Sequence, residues 1–298
     1  GGCRADVKLP VERETVSGTK LTVSLSGLTG GHSGSEIDKG RGNANILMSR
    51  LLRDASAPVA IASIDGGRKD NAIPRECTAQ IIVAPDEAAA VKASIEQAAA
   101  EIADEFKASD PDLKLTVSEE TDCSESAISA KDSARVIALI EALPNGIIRM
   151  SREIDKLVET SLNLGVLKSD DAAVILRYAV RSSVGVAKKS LKNQLVCIAG
   201  AFAAEVTFEG DYPAWEYKKD SKLREDMVRI FEEMYGKKPT IEAIHAGVEC
   251  GLLSGKIEGL DCISMGPDMY DIHTTEERLS ISSAKRSYEY ILRVIACK

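Results

Sequence analysis

A chain of 298 residues that is 44% hydrophobic but only 4% aromatic can bury a sizeable core, and that core must be mostly aliphatic. Single cores rarely grow past about 250 residues, so two domains are expected. A net charge of −8 and a pI near 5.2 argue against nucleic acid or anionic membrane as a partner, and no apolar run approaches the ~20 residues of a membrane span.

In chain order, the alternating Val16, Leu21, Val23 and Leu25 predict one or two strand segments over 16–28, ending at a glycine cluster. Leu47, Met48, Leu51 and Leu52 recur at helical spacing, with Asn43 or Asn45 as the cap and Pro58 as the stop. Strands are predicted at 59–64 and 72–84, joined by a turn at Asp65-Gly66-Gly67. A long helix follows over about 86–107, then a strand at 113–119. The order β-α-β-β-α-β is that of a ferredoxin-like unit. The pattern then recurs: a helix over 132–143 that starts near Ser129 or Asp132, strands at 157–167 and 172–182, a helix at 185–203 and a strand at 204–209. Two similar halves, packed as an internal pseudo-dimer, are therefore expected.

Asp211-Tyr212-Pro213-Ala214-Trp215 marks a boundary. Beyond it the pattern predicts a helix over 221–235 capped by Ser221, a strand at 239–244 and a short helix at 247–254. A strand at 261–265, a loop and a helix at 283–296 complete it. This alternation reads as the tail of an α/β domain that cannot close its own core. The expected layout is thus residues 1–15 as a connecting remnant, a lid of two ferredoxin-like halves (16–121 and 122–210), and an α/β portion at 211–298.

Seven scattered cysteines without a CxxC pair fit structural thiols in a reducing, cytoplasmic setting. The first residues contain neither Met nor a signal-peptide layout and read as a cut chain or a tag remnant.

The three histidines all lie in short, chemically legible segments. His32 sits in Gly30-Gly31-His32-Ser33-Gly34, where glycines let the backbone approach a ligand while the imidazole projects from a loop. His245 precedes Ala246-Gly247, and His273 lies between Asp271 and Thr274 in a loop suited to metal ligation or acid–base work. Asn71 occupies a turn before a strand, which by itself is ordinary turn chemistry. Arg177, Ala179 and Arg181 share one strand face, and a guanidinium at the end of that face can grip a carboxylate bidentately or simply be solvated. One histidine does not make a metal site. Zinc takes three or four ligands, and the chain has no H-x-D, HExxH or cysteine cluster.

Taken together, Gly27-Leu28-Thr29-Gly30-Gly31-His32-Ser33-Gly34, Lys39-Gly40-Arg41-Gly42-Asn43-Ala44 and Asn71-Ala72-Ile73-Pro74-Arg75-Glu76 carry a resemblance. It continues through Ser161-Leu162-Asn163-Leu164-Gly165, Val180-Arg181-Ser182-Ser183, His245-Ala246-Gly247-Val248-Glu249-Cys250-Gly251 and Ile272-His273-Thr274. In this order they resemble the aminoacyl-histidine dipeptidases of the bacterial carnosine-cleaving type. These are di-metal peptidases of the clan that also holds carboxypeptidase G and the cytosolic non-specific dipeptidases.

The resemblance implies an α/β peptidase with a duplicated ferredoxin-like α+β lid. The intact protein would hydrolyse dipeptides such as carnosine using two divalent cations, zinc by expectation, with manganese or cobalt as substitutes. His273 would ligate one metal, and His32 would stabilise the oxyanion from the lid. Arg181 and Asn71 would hold the dipeptide's carboxylate and backbone, with Gly247 lining the pocket; Glu249 and His245 lie beside it without an assigned step. The family's H-x-D segment, bridging aspartate, Glu-Glu pair and further acidic ligand are absent from the sequence, and family order puts them before residue 1. The metal centre is thus expected to be absent or incomplete in this fragment, and the fragment inactive alone. A homodimer is compatible with this reading. A non-catalytic pair of ferredoxin-like modules for dimerisation or small-ligand binding, or a clan member acting on N-acyl amino acids or tripeptides, are the alternatives.

Overall fold

The computed structural model describes residues 1–243, 249–271 and 276–297. The elements in chain order are β1 (Gly2–Pro10), β2 (Arg13–Ser26), β3 (Gly31–His32), α1 (Ala44–Arg53), β4 (Ala60–Gly66), β5 (Ala72–Ile73), β6 (Cys77–Val83), α2 (Ala88–Phe106) and β7 (Lys114–Ile128). Next come α3 (Ala130–Ala142), β8 (Gly146–Met150), β9 (Val158–Ser169), β10 (Ala173–Ser182), α4 (Gly185–Ala201) and β11 (Glu205–Tyr212). The C-terminal portion contains α5 (Lys222–Tyr235), α6 (Glu249–Lys256), β12 (Met269–Tyr270), β13 (Arg278–Leu279) and α7 (Ile281–Ala296).

Nine strands form one antiparallel sheet in the order β11-β1-β10-β9-β4-β6-β2-β7, with β8 also on β9. Alternation explains which face is covered. Ala5, Val7 and Leu9 of β1 and Leu176, Tyr178 and Val180 of β10 are buried in the core, whereas Arg4, Asp6 and Arg177 point to the opposite side. The core joins these strand residues to the apolar stripes of the helices, among them Leu47 and Leu51 of α1, Val91 and Ile95 of α2, Val136 and Ile140 of α3, and Leu191 and Leu195 of α4. Helix starts follow from local hydrogen bonding. Asn43 accepts from the N–H groups of Asn45 and Ile46, and Ser129 accepts from that of Asp132.

Strand order resolves the two halves. In the first, β2-α1-β4-β6-α2-β7 lies in the order fourth, first, third, second (β7-β2-β6-β4). The second has the same order in β11-β1-β10-β9, and its first strand is β1. Residues 1–15, expected as a connecting remnant, therefore contain a structural strand that pairs with β10 from Gly2↔Arg181 to Pro10↔Ala173, and with β11 on its other edge. The first half is inserted between the first strand and first helix of the second. Equivalent elements meet at the join: β4 pairs with β9 (Asp65↔Lys168, Gly66↔Leu167), and Ser49 of α1 donates to Glu141 of α3 at 2.5 Å.

Other boundaries differ from expectation for physical reasons. The predicted strand at 72–84 is two strands, because Pro74 has no N–H to continue a ladder. β5 pairs with β3 in a small ribbon, whereas β6 joins the main sheet. β8, in a stretch between the helix predicted to end at 143 and the strand predicted from 157, pairs with β9.

Residues 239–243 and 261–265 are not strands. Their apolar content is real, but among the described residues neither meets a ladder partner, and an unpaired extended segment is not a strand. The C-terminal portion is held by α5 against α7, where Tyr290 donates to the carbonyl of Met227 at 2.6 Å and meets Phe231 edge-on at 5.4 Å. Its helices leave large apolar residues in solvent, including Ile281 at 85% exposure and Ile295 at 63%.

Candidate active site

β2 hands the chain to a loop that folds back across the open face of the sheet, and the β3–β5 ribbon sets His32 opposite Ala72. Glu36 closes this loop: its carboxylate accepts the His32 N–H at 2.8 Å and an Arg41 guanidinium N–H at 2.8 Å. Those two contacts, the His32 amide first, hold the Glu36 carboxyl below the usual carboxylate range. The imidazole is oriented by its own turn. Its Nδ1 accepts from the backbone N–H groups of Gly34 and Ser35, both at 3.2 Å. A backbone N–H can only donate, so Nδ1 is an acceptor and the ring proton of the neutral imidazole sits on Nε2. That tautomer makes Nε2 an N–H donor, the kind of group that stabilisation of an oxyanion requires.

Asn71 lies beside His32. Its carbonyl accepts the Ser33 N–H at 2.9 Å. The loop carrying it rests on β9, where a Cβ on Gly165 would come within 2.5 Å of the Asp70 Cα and carbonyl oxygen. Only glycine permits so close an approach.

Arg181, at the end of β10, stands opposite Ser161 of β9. Its neighbour on the same face, Arg177, is bound to Asp6 through two hydrogen bonds of 2.9 and 2.8 Å. For Arg177 the ordinary structural role holds. Arg181 differs, because its Nε is buried without a hydrogen-bond partner among the described residues. Arg181 and Asn71 line one cavity of about 420 Å³ with Arg4, Asp70, Glu209 and Tyr212. Arg4 is engaged by Glu209 and Asp6, which leaves the Arg181 guanidinium as the cation suited to an incoming carboxylate.

His32 and Arg181 converge on Gly34. A Cβ there would lie 2.9 Å from His32 Cε1 and 3.3 Å from Arg181 Cζ. In the complete protein, Gly34→Ala should displace both side-chain ends at little cost in stability, with Tm nearly unchanged. Its kcat/KM should fall by about 10-fold or more, since small misplacements near the chemistry are expensive. Equal loss of Tm and activity, or no loss of activity, would show that the two groups do not act as one site.

His273, Gly247 and His245 lie outside the described residues. Among the described residues no group of three or more His, Cys, Asp or Glu side chains could hold a metal ion. The described residues by themselves do not make a di-metal centre. Asn163 and Glu36 carry no assigned role in the sequence reading, although Asn163 lies in the Ser161-Leu162-Asn163-Leu164-Gly165 segment that carries the resemblance, and the structure buries residues 158–165 on both faces.

Residues 23–110, most of the first half, match the family model of the peptidase dimerisation domain. The chain is 33% identical over 287 residues to the cytosol non-specific dipeptidase of Escherichia coli (strain K12), a match covering 95% of this chain and 59% of that protein. It superposes on the crystal structure of aminoacylhistidine dipeptidase from Vibrio alginolyticus with a TM-score of 0.90 at 30% identity, over 99% of this chain and 61% of that one. The chain is similar to these dipeptidases along nearly its whole length, and it spans about three fifths of theirs.

Proposed function

We propose that the protein to which these residues belong is a metal-dependent dipeptidase, cytosolic like its named relative, that accepts histidine-containing dipeptides such as carnosine. On this reading the lid extends to about residue 210, and residues 211–298 are part of the catalytic domain. The observation that carries it is the placement of His32 and Arg181 on either side of Gly34. One residue of extended chain covers about 3.3–3.6 Å, and in a dipeptide one residue separates the scissile carbonyl from the terminal carboxylate. A donor for the oxyanion and a guanidinium for the carboxylate, both close to Gly34 at so short a spacing, favour dipeptides over longer peptides. Arg181 grips the carboxylate bidentately, Asn71 orients the backbone, and His32 Nε2–H donates to the oxygen on which negative charge develops.

The assay is direct. The complete protein, carrying the further length its relatives have, should cleave carnosine and other dipeptides with added zinc or manganese, and a chelator should abolish turnover. Residues 1–298 alone should not cleave them. Cleavage by residues 1–298 alone would refute the incomplete-site reading. Hydrolysis of tripeptides or N-acyl amino acids in preference to dipeptides would refute the substrate assignment.

A further inference from the structure

The seam between the halves holds a buried amide network that the chemistry above does not use. Asn163, on β9, is 1% exposed. Its Nδ2 donates to the carbonyls of Asp70 at 3.0 Å and Ala72 at 2.8 Å, the two residues that flank Asn71. Because two carbonyls face this nitrogen, the amide can be oriented only one way. Its Oδ1 accepts from Asn43 Nδ2 at 3.1 Å, and that nitrogen also donates to the Leu164 carbonyl at 3.1 Å. Asn43 is itself fixed, since its Oδ1 caps α1 through the Asn45 and Ile46 N–H groups. A chain of hydrogen bonds thus runs from the N-terminus of α1 in the first half, through a strand of the second, to both sides of Asn71.

We propose that Asn163 is a positioning residue that sets Asn71 at the Arg181 cavity and, through the β5–β3 ladder, sets His32 as well. This rests on the dipeptidase reading. The position demands two N–H donors and one acceptor on a single short head. Aspartate offers no donor, serine offers one, and glutamine carries its amide a carbon too far. Asn163 touches no reacting atom and acts through the loop it brackets, while Asn43 holds it in register.

The test uses the complete protein, with Asn163→Ala, Asn71→Ala, their double variant, and Asn43→Ser, which keeps a cap acceptor but loses the amide N–H group that donates to Asn163 and Leu164. Losing two buried hydrogen bonds should raise KM for a dipeptide about 10-fold with a smaller change in kcat. The double variant should match Asn71→Ala within about 2-fold, because Asn163 works through Asn71. Amides of residues 69–73 should exchange at least about 10-fold faster in Asn163→Ala, with those of α2 unchanged. Multiplying KM effects in the double variant, or unaltered exchange in the loop, overturns the proposal. Should Asn163→Ala not fold, Asn43→Ser decides: loop exchange accelerated about 3-fold supports it, and unchanged exchange overturns it. If the native protein cleaves no dipeptide, the function assignment fails, and the exchange measurement still decides whether Asn163 holds the loop.

Discussion

Replacing His32 by alanine in the complete protein should lower kcat about 100-fold while leaving KM and Tm nearly where they were. The first part follows from the hydrogen bonds of the ring. Backbone N–H groups of Gly34 and Ser35 hold Nδ1 as an acceptor, so Nε2 carries the donor before any substrate arrives. A preorganised donor aimed at developing negative charge contributes about 3 kcal/mol to the transition state and little to substrate binding. The second part follows from exposure: His32 lies on the surface of its loop, and surface substitutions usually change stability by less than about 0.5 kcal/mol. Steady-state kinetics and a melting curve on the same preparation make the check. An unaltered kcat removes His32 from the reaction, and a kcat loss that tracks a lower Tm reassigns it to structure.

The second large effect concerns the strand at the start of the chain. Deleting residues 1–11 should unfold the second half while the first survives. β1 lies between β10 and β11 and hydrogen-bonds to both, so its removal opens two strand edges at once. Val7 and Leu9 are fully buried, and at about 1.5–3 kcal/mol each their loss is a large part of the ~5–15 kcal/mol that stabilises a typical domain. Hydrogen exchange read by mass spectrometry distinguishes the halves. Protection should collapse over 158–212 and persist over 13–128. Retained protection in β10 and β11 would show that β1 is dispensable and that the assignment of the halves is wrong.

The local elements were legible because periodicity and capping are local. The helix starts at Asn43, Ser129 and Ser221 needed only a polar side chain before an apolar stripe. The duplication was legible too, down to a second half without its first strand. What the sequence did not disclose was that β1 supplies that strand: Val7 pairs with Leu176, and no short-range pattern specifies a register between residues so far apart. The strands predicted at 239–244 and 261–265 failed for the complementary reason, since apolar runs report burial and not pairing. At the site, the family resemblance, rather than residue type alone, singled out His32, Asn71 and Arg181 as candidates. Their convergence on one face of the sheet depends on a loop from one half lying on a strand of the other, which Gly165 and Asn163 make possible.

The interleaved order of the halves has a consequence for the protein as it is made. β1 is synthesised well before its partners, since both of its neighbours in the sheet lie beyond residue 172. At roughly 5–20 residues per second it waits on the order of ten seconds, with an apolar edge exposed while the inserted half is already able to collapse beside it. During that interval the nascent chain depends on whatever shields such an edge in the cell. Exchanging this strand between two newly made chains is the misassembly to which its architecture is most open.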